Sequence, residues 1–289
     1  MRTDIRRDRD SSITHVSDTA LWVATFRALE GQRADAVFDD PLAALLAGER
    51  GRNIARAISR PAMAEWGMII RTSAIDRLIH EALSDGIDTV LNLGAGLDAR
   101  PYRMQLPAAL RWIEVDFPNI VELKNTKLLG QQPVCRVERI GMDLLDRRSR
   151  QELFARYGAA SRRTLVITEG VISYLSVYDA STLAADLHAE PSVHRWIQDF
   201  DNAGKRRLPR GWAKHLKAAP FLFEVKDWFE FFKKYGWQSS KIITSFEESN
   251  QINRPYPVDF PYGLLMRVLP QEMRRRILSL SGVAVMQRC

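Results

Sequence analysis

The stretch Val90-Leu91-Asn92-Leu93-Gly94-Ala95-Gly96-Leu97-Asp98 constrains the fold more than any other part of this chain. A short apolar run ends in a Gly-x-Gly turn, and the next apolar run closes on Asp116, twenty residues after Gly96. In an open parallel sheet this pattern sets bare backbone and a carboxylate at neighbouring strand ends, where an adenosine group is held. The glycines allow close approach, and the acid takes the ribose hydroxyls. A Gly-x-Gly by itself serves any tight strand-to-helix turn. Asp116 at this distance favours the nucleoside.

Apolar runs at Thr89–Leu93, Trp112–Val115, Val134–Val137, Leu165–Thr168 and Trp196–Phe200 read as buried strands, with helices between them around Pro118–Leu129 and Ser181–Glu190. That alternation predicts an α/β, doubly wound and mostly parallel sheet with helices on both faces, of Rossmann-like type. An aromatic helix follows at Asp227–Tyr235, then strands at Trp237–Thr244 and Val283–Arg288. Two late strands without a full helix pair predict an antiparallel edge, which completes a seven-stranded sheet and separates methyltransferase sheets from plain nicotinamide-binding ones. Ahead of the sheet, Ala20, Val23, Ala24 and Ala28 share one side of a first helix, and Leu42, Leu45 and Leu46 begin a second. Ala74, Ile75, Leu78, Ile79, Ala82 and Leu83 mark a third helix, with Ser73 and Asp76 fitting a capping box and Gly86 the stop. The expected organisation is a flexible arm over 1–18 and one domain over 19–289. Within it lie a helical cap (19–85), a cofactor-binding core (86–203), a substrate lid (204–235) and the C-terminal strands (236–289).

Composition narrows the class. At 46% hydrophobic residues the chain is ordinary for a globular protein, and no apolar span approaches the ~20 residues that cross a bilayer. Met1–Asp10 carries mixed charge and no apolar core, so it reads as no secretory signal. Two cysteines and five scattered histidines offer neither a disulfide framework nor metal-ligand spacing; no metal is expected, and a reducing cytoplasm fits. The net charge of +7 raises a nucleic-acid partner, but the basic residues sit in short scattered clusters, so none is expected. Oligomeric state is not legible.

An acidic group follows every predicted strand: Asp98, Asp116, Asp143, Glu169, and then Asp199 with Asp201. Asp98, Asp199 and Asp201 read equally well as ordinary strand-end or helix-cap acids. A phosphate-bearing cofactor would meet poor electrostatics here. S-adenosylmethionine carries a sulfonium, an ammonium and a single carboxylate, so the acidic rim favours it. Arg71, ahead of the predicted third helix, offers a planar fork for that carboxylate, although a surface arginine is the plainer reading.

These residues resemble the leucine carboxyl methyltransferase family of S-adenosylmethionine-dependent enzymes, whose bacterial branch includes polyketide O-methyltransferases. The resemblance covers about residues 18 to 288. It rests on Asp18-Thr19-Ala20, Arg33 to Pro41, Arg71-Thr72, the run from Asn92 to Arg103, Glu114-Val115-Asp116 and Glu169-Gly170-Val171-Ile172-Ser173-Tyr174-Leu175. It implies that Arg71 binds the methionine carboxylate, that Gly94, with Ala95 and Gly96 beside it, lines the cofactor, and that Asp116 takes the ribose. Asp143 and Leu144 would hold adenine, and Glu169 would lie near the methionine end. Ala99 stands where the family usually has Thr.

Methyl transfer asks the protein mainly to orient and desolvate the acceptor. A carboxylate acceptor needs no base, whereas a phenol with pKa near ~10 profits from one. Tyr174 could border the transferred methyl, and His215 could serve as a base if the basic segment around it is a lid. Segment 204–232 joins a basic stretch (Lys205, Arg206, Arg207, Arg210, Lys214, Lys217) to an aromatic one (Phe221, Phe223, Trp228, Phe229, Phe231, Phe232), which suits either a lid over an anionic, apolar acceptor or a solvated loop followed by a core helix. The expected activity is O-methylation of a carboxyl or hydroxyl oxygen on a small aromatic or polyketide-like metabolite. A protein C-terminal carboxylate, a modified RNA, and a non-catalytic S-adenosylmethionine-binding role stay open.

Overall fold

The computed structural model describes residues 15, 18–58, 61–202, 219–257 and 262–289. His215 and the basic stretch from Lys205 to Lys217 lie outside the described residues, as does nearly all of the arm. The strands are β1 (Thr89–Leu93), β2 (Arg111–Asp116), β3 (Arg136–Gly141), β4 (Thr164–Thr168), β5 (Val193–Asp201), β6 (Trp237–Thr244) and β7 (Ser281–Arg288). They form a seven-stranded sheet of order β3-β2-β1-β4-β5-β7-β6. The first five run parallel, and β7 enters antiparallel between β5 and β6. The expected antiparallel pair therefore occupies that edge, with β7 on its inner side.

Both faces of the sheet are covered, which is why its central strands read as unbroken apolar runs. Val90, Trp112, Leu165, Ile167 and Ile197 turn to one face. There they meet Ala74, Ile75, Leu78 and Ile79 of helix α3 (Pro61–Ser84). Leu91, Leu93, Val115 and Val166 turn to the other, against Phe154 of α6 (Arg147–Ala159) and Leu183 and Leu187 of α7 (Val177–Ala189). Trp196, Trp237, Phe223, Trp228 and Phe232 close that core. The aromatic half of the expected 204–235 lid is thus mostly core: α8 (Trp228–Lys233) buries its rings beneath the sheet edge.

Helices α1 (Asp18–Gly31) and α2 (Ala43–Ala57) pack on each other through Leu21, Trp22, Phe26, Leu46 and Ile54. They cross closely because Gly51 has no side chain; a Cβ there would lie 2.6 Å from the Leu21 carbonyl oxygen.

Three sequence expectations are corrected. Helix α3 begins at Pro61, so Ser73 caps nothing; its hydroxyl donates to Glu248 at 2.8 Å, and Asp76 faces Arg100 and Arg103 instead. Strand β3 starts later than Val134–Val137, because it is an edge strand whose exposed Arg136 and Glu138 interrupt the apolar run. Strand β5 runs from Val193 through Asp201, longer than the expected Trp196–Phe200, and leaves Asp199 and Asp201 as acids at a strand end and not at a helix cap. Short elements complete the chain: α4 (Arg100–Arg103), α5 (Pro118–Lys127), α9 (Ser245–Gln251), α10 (Tyr262–Val268) and α11 (Gln271–Leu278).

Candidate active site

The carboxyl ends of β1–β5 open into one cavity of about 380 Å³. Arg71, Gly94, Ala95, Gly96, Asp116 and Asp143 line it, together with Leu144, Glu169 and Tyr174. Every described residue expected at the site is therefore brought to one place. His215 is the exception, being outside the described residues.

At the nucleoside end, Gly94 (φ +67°) and Gly96 (φ +48°) turn the chain out of β1 in a left-handed conformation that favours glycine. A Cβ on Gly94 would meet Val171 Cγ2 at 2.4 Å, so the site needs glycine for space as well. Asp116 is tied to the turn. Its Oδ2 accepts from the Gly96 N–H at 2.6 Å and its Oδ1 from the Phe117 N–H at 2.7 Å. Burial pushes its carboxyl above the ordinary value although both N–H groups oppose this. The spacing of twenty residues thus has a local cause: the acid closing β2 anchors the loop leaving β1. His15, from the expected arm, lies edge-on to Phe117 with ring centroids 5.3 Å apart.

At the other end the cavity is ionic. Arg71, on α3, donates from Nε to Glu169 Oε1 at 2.9 Å and from Nη1 to Asp199 Oδ2 at 3.2 Å. Glu169 also accepts from Arg100 Nη1 at 2.8 Å, and Arg100 is almost wholly buried. Arg100 further binds Asp76 at 2.6 Å and Asp98 at 2.8 Å. Burial works against ionisation of Glu169, yet the Arg100 and Arg71 charges outweigh it and bring its carboxyl down to about 2. Asp98 behaves alike: burial opposes its charge, and Arg100, Lys124, Arg27 and Arg103 hold it well below the usual range. Asp98 also accepts from Asn92, so the acid after the glycine turn is structural. Ala99, where a Thr was expected, precedes α4 without any side-chain cap bond.

The loop between β3 and α6 carries Asp143 and Leu144. Asp143 Oδ1 accepts from the Leu145 N–H at 2.9 Å. The Leu144 carbonyl accepts from Arg150 Nη1 at 2.6 Å, and Asp186 on α7 neutralises that buried guanidinium. Tyr174 sits in the turn after β4, its ring 5.1 Å from Phe221. Burial, reinforced by Asp199 and opposed by Arg71 and the Thr19 hydroxyl, pushes its phenol up to about 12. It is therefore a neutral wall near pH 7. Phe221 and Leu222 reach the cavity because the Leu222 N–H is fastened to the Ser173 carbonyl at 2.9 Å.

Sequence reasoning assigned no part to Arg100 or Arg150, and left Asp199 between a member of the acidic rim and an ordinary strand-end or cap residue. The signal for Arg100 was present in the run from Gly94 to Arg103. Asp199 lay within the expected Trp196–Phe200 strand without a named role, and Arg150 sat unmarked in a polar helix.

The cavity suits S-adenosylmethionine on its own chemistry. Among its described lining residues, five carboxylates (Asp98, Asp116, Asp143, Glu169 and Asp199) face two guanidiniums, Arg27 and Arg71. Both guanidiniums are already bonded to acids. Five acids against two guanidiniums among the described lining residues make poor electrostatics for a pyrophosphate, and bare backbone at the turn can approach a nucleoside. An open sheet with an inserted antiparallel last strand and this turn defines a methyltransferase.

The leucine carboxyl methyltransferase family model matches residues 20–188, more than half of the 289-residue chain. The chain belongs to that family, and its cofactor is S-adenosylmethionine. A Rhodococcus jostii protein assigned as an S-adenosyl-L-methionine-dependent methyltransferase is 30% identical over 290 residues, covering 92% of this chain and 96% of its own length. A Streptomyces coelicolor protein of the same assignment is 35% identical over 166 residues, 54% of this chain and 59% of that relative. Among solved structures, a DUF574 family protein from Streptomyces avermitilis superposes with a TM-score of 0.56 at 18% identity, covering 92% of this chain and 97% of that one. A Thermobifida fusca protein assigned as a methyltransferase reaches a TM-score of 0.57 at 17% identity over 86% and 92%. At such identities the structures share the fold alone.

Proposed function

We propose that this methyltransferase acts on oxygen, methylating a carboxyl or hydroxyl group of a small aromatic or polyketide-like metabolite. The observation that carries this reading is the apolar part of the lining: Trp22, Val23, Met68, Tyr174, Leu175 and Phe221 give the cavity ring-bearing surface alongside its carboxylates. Such surface encloses a flat apolar body, while the charged residues orient the donor.

On this reading Arg71 pairs with the methionine carboxylate and Glu169 receives the ammonium. Asp116 takes the ribose hydroxyls on the lone pairs its two backbone partners leave over. Asp143 and Leu144 hold the adenine, and Gly94, Ala95 and Gly96 give backbone contact. Bound S-adenosylmethionine supplies a methyl group on an activated sulfonium leaving group. The chain's own work is to exclude water and hold the acceptor oxygen in line. Tyr174 borders the transfer as a neutral ring, and a hydroxyl acceptor would lose its proton to His215. The acceptor is a small molecule rather than a nucleic acid, and the protein works in a reducing, cytoplasmic setting, which its free Cys135 and Cys289 suit. No described helix is long and apolar enough to cross a membrane.

The test is transfer of label from donor to a panel of aromatic and polyketide-like acids and phenols. Alkaline hydrolysis of the product separates esters from ethers. Label on a small acceptor is expected. Label on protein C-termini or RNA alone, or on nothing while the donor binds, would overturn the reading.

A further inference from the structure

We infer that Asp199 reads positive charge at the transferring end of the donor, so that the cavity holds S-adenosylmethionine more tightly than its thioether product. The inference rests on the donor placement proposed above. Asp199 lies within β5, paired with Val283 of β7, so its backbone is fixed by the sheet. Its side chain lines the cavity beside Glu169, Gly170 and Tyr174.

The charge pairing around it leaves a surplus. Arg27 binds Asp40 at 2.8 Å, Arg103 binds Asp76 at 2.7 Å, and Arg100 binds Asp98 at 2.8 Å. Arg71 makes its shorter contact, 2.9 Å, with Glu169 and its longer one, 3.2 Å, with Asp199. Among the described residues these four guanidiniums meet five carboxylates, and Asp199, which lines the cavity with Asp98 and Glu169, makes the longest of the contacts just named. Its other oxygen accepts from the Gly170 N–H at 2.8 Å, a neutral donor. Burial pushes the Asp199 carboxyl above its ordinary value, with Arg71 acting against this, as expected where compensation is incomplete. A buried carboxylate in deficit is stabilised by a cationic ligand and not by a neutral one.

Methyl transfer removes that cation. The C–S bond breaks with its electron pair left on sulfur, and the acceptor oxygen forms the new C–O bond. The sulfonium becomes a thioether, and the ligand falls from a net charge of plus one to zero. Asp199 then keeps only its shared contact with Arg71, which favours release of product over donor.

Calorimetry on the intact chain tests this with three probes: S-adenosylmethionine, S-adenosylhomocysteine, and sinefungin, which carries an amine in place of the S-methyl. The charge-free variants Asp199→Asn and Asp199→Ser are compared with wild type, each checked for a cooperative thermal melt. Both should weaken the two cationic probes about tenfold or more and the thioether less than about threefold, the expectation for one lost charge partner in a partly buried site. Asp199→Glu should keep the wild-type order of affinities. Equal weakening of all three probes, or no change, would overturn the role of Asp199 while leaving the donor placement intact. Wild-type protein that bound none of them would overturn both.

Discussion

The two ends of the cavity hold their carboxylates by opposite means. Asp116, at the nucleoside end, is bonded to two backbone N–H groups, so its charge stays largely uncompensated. Glu169, at the other end, is clamped by Arg71 and Arg100, themselves tied to Asp199, Asp98 and Asp76. The same burial therefore raises one carboxyl and is overridden at the other. Neutral anchoring leaves an acid ready to accept from hydroxyls. Ionic anchoring gives a rigid end whose stability depends on every member being present.

Removing the hub should break this contrast most severely. Arg100→Met leaves buried acids facing each other without a cation, and loss of one partner from a buried pair costs about 3–5 kcal/mol. Denaturant unfolding should show that loss; a change below about 1 kcal/mol would mean the network is dispensable.

Acid titration comes next, and Glu169 and Asp116 should respond with opposite sign. The folded Glu169 carboxyl lies at about 2 against an ordinary 4.5. Its ionisation stabilises the fold above pH 4.5, and this is lost as pH falls toward 2, roughly 3 kcal/mol at most. Asp116 is raised, so its charge costs stability at neutral pH, and acidification through its folded value relieves that cost. In Glu169→Gln the decline between pH 4.5 and 2 should flatten; in Asp116→Asn it should not.

Asp116→Ala should weaken donor binding by ~1–3 kcal/mol through the lost acceptor for the ribose, with a smaller effect on the melt. Unchanged affinity would move the ribose elsewhere. The smallest effect is a reference far from both ends. Thr244 closes a capping box with Glu247 at the start of α9. Thr244→Ala should cost about 1 kcal/mol of stability and leave donor affinity alone.

The nucleoside end was legible in the sequence because its determinants are close in the chain. The glycine turn and the acid closing β2 stand on adjacent strands, and the register of β1 with β2 does the rest. The ionic end was only partly so. Glu169 could be placed as the acid after β4, but its partners come from α3 and α4, separated from it by 98 and 69 residues. Periodicity carries no information about such pairings. Ser73 misled for a related reason: a Ser-x-x-Asp looks like a helix start, while the helix really begins at Pro61 and Ser73 serves a contact with Glu248. The aromatic residues after Phe221 could have been lid or core, and only packing against Trp196 and Trp237 decides for core.

The claim beneath all of this is that the cavity is built for a phosphate-free nucleoside bearing positive charge. Calorimetric competition between S-adenosylmethionine and NAD tests it directly. The arrangement of five acids around two engaged guanidiniums predicts saturable binding of the former and none of the latter. Tighter binding of NAD would contradict it.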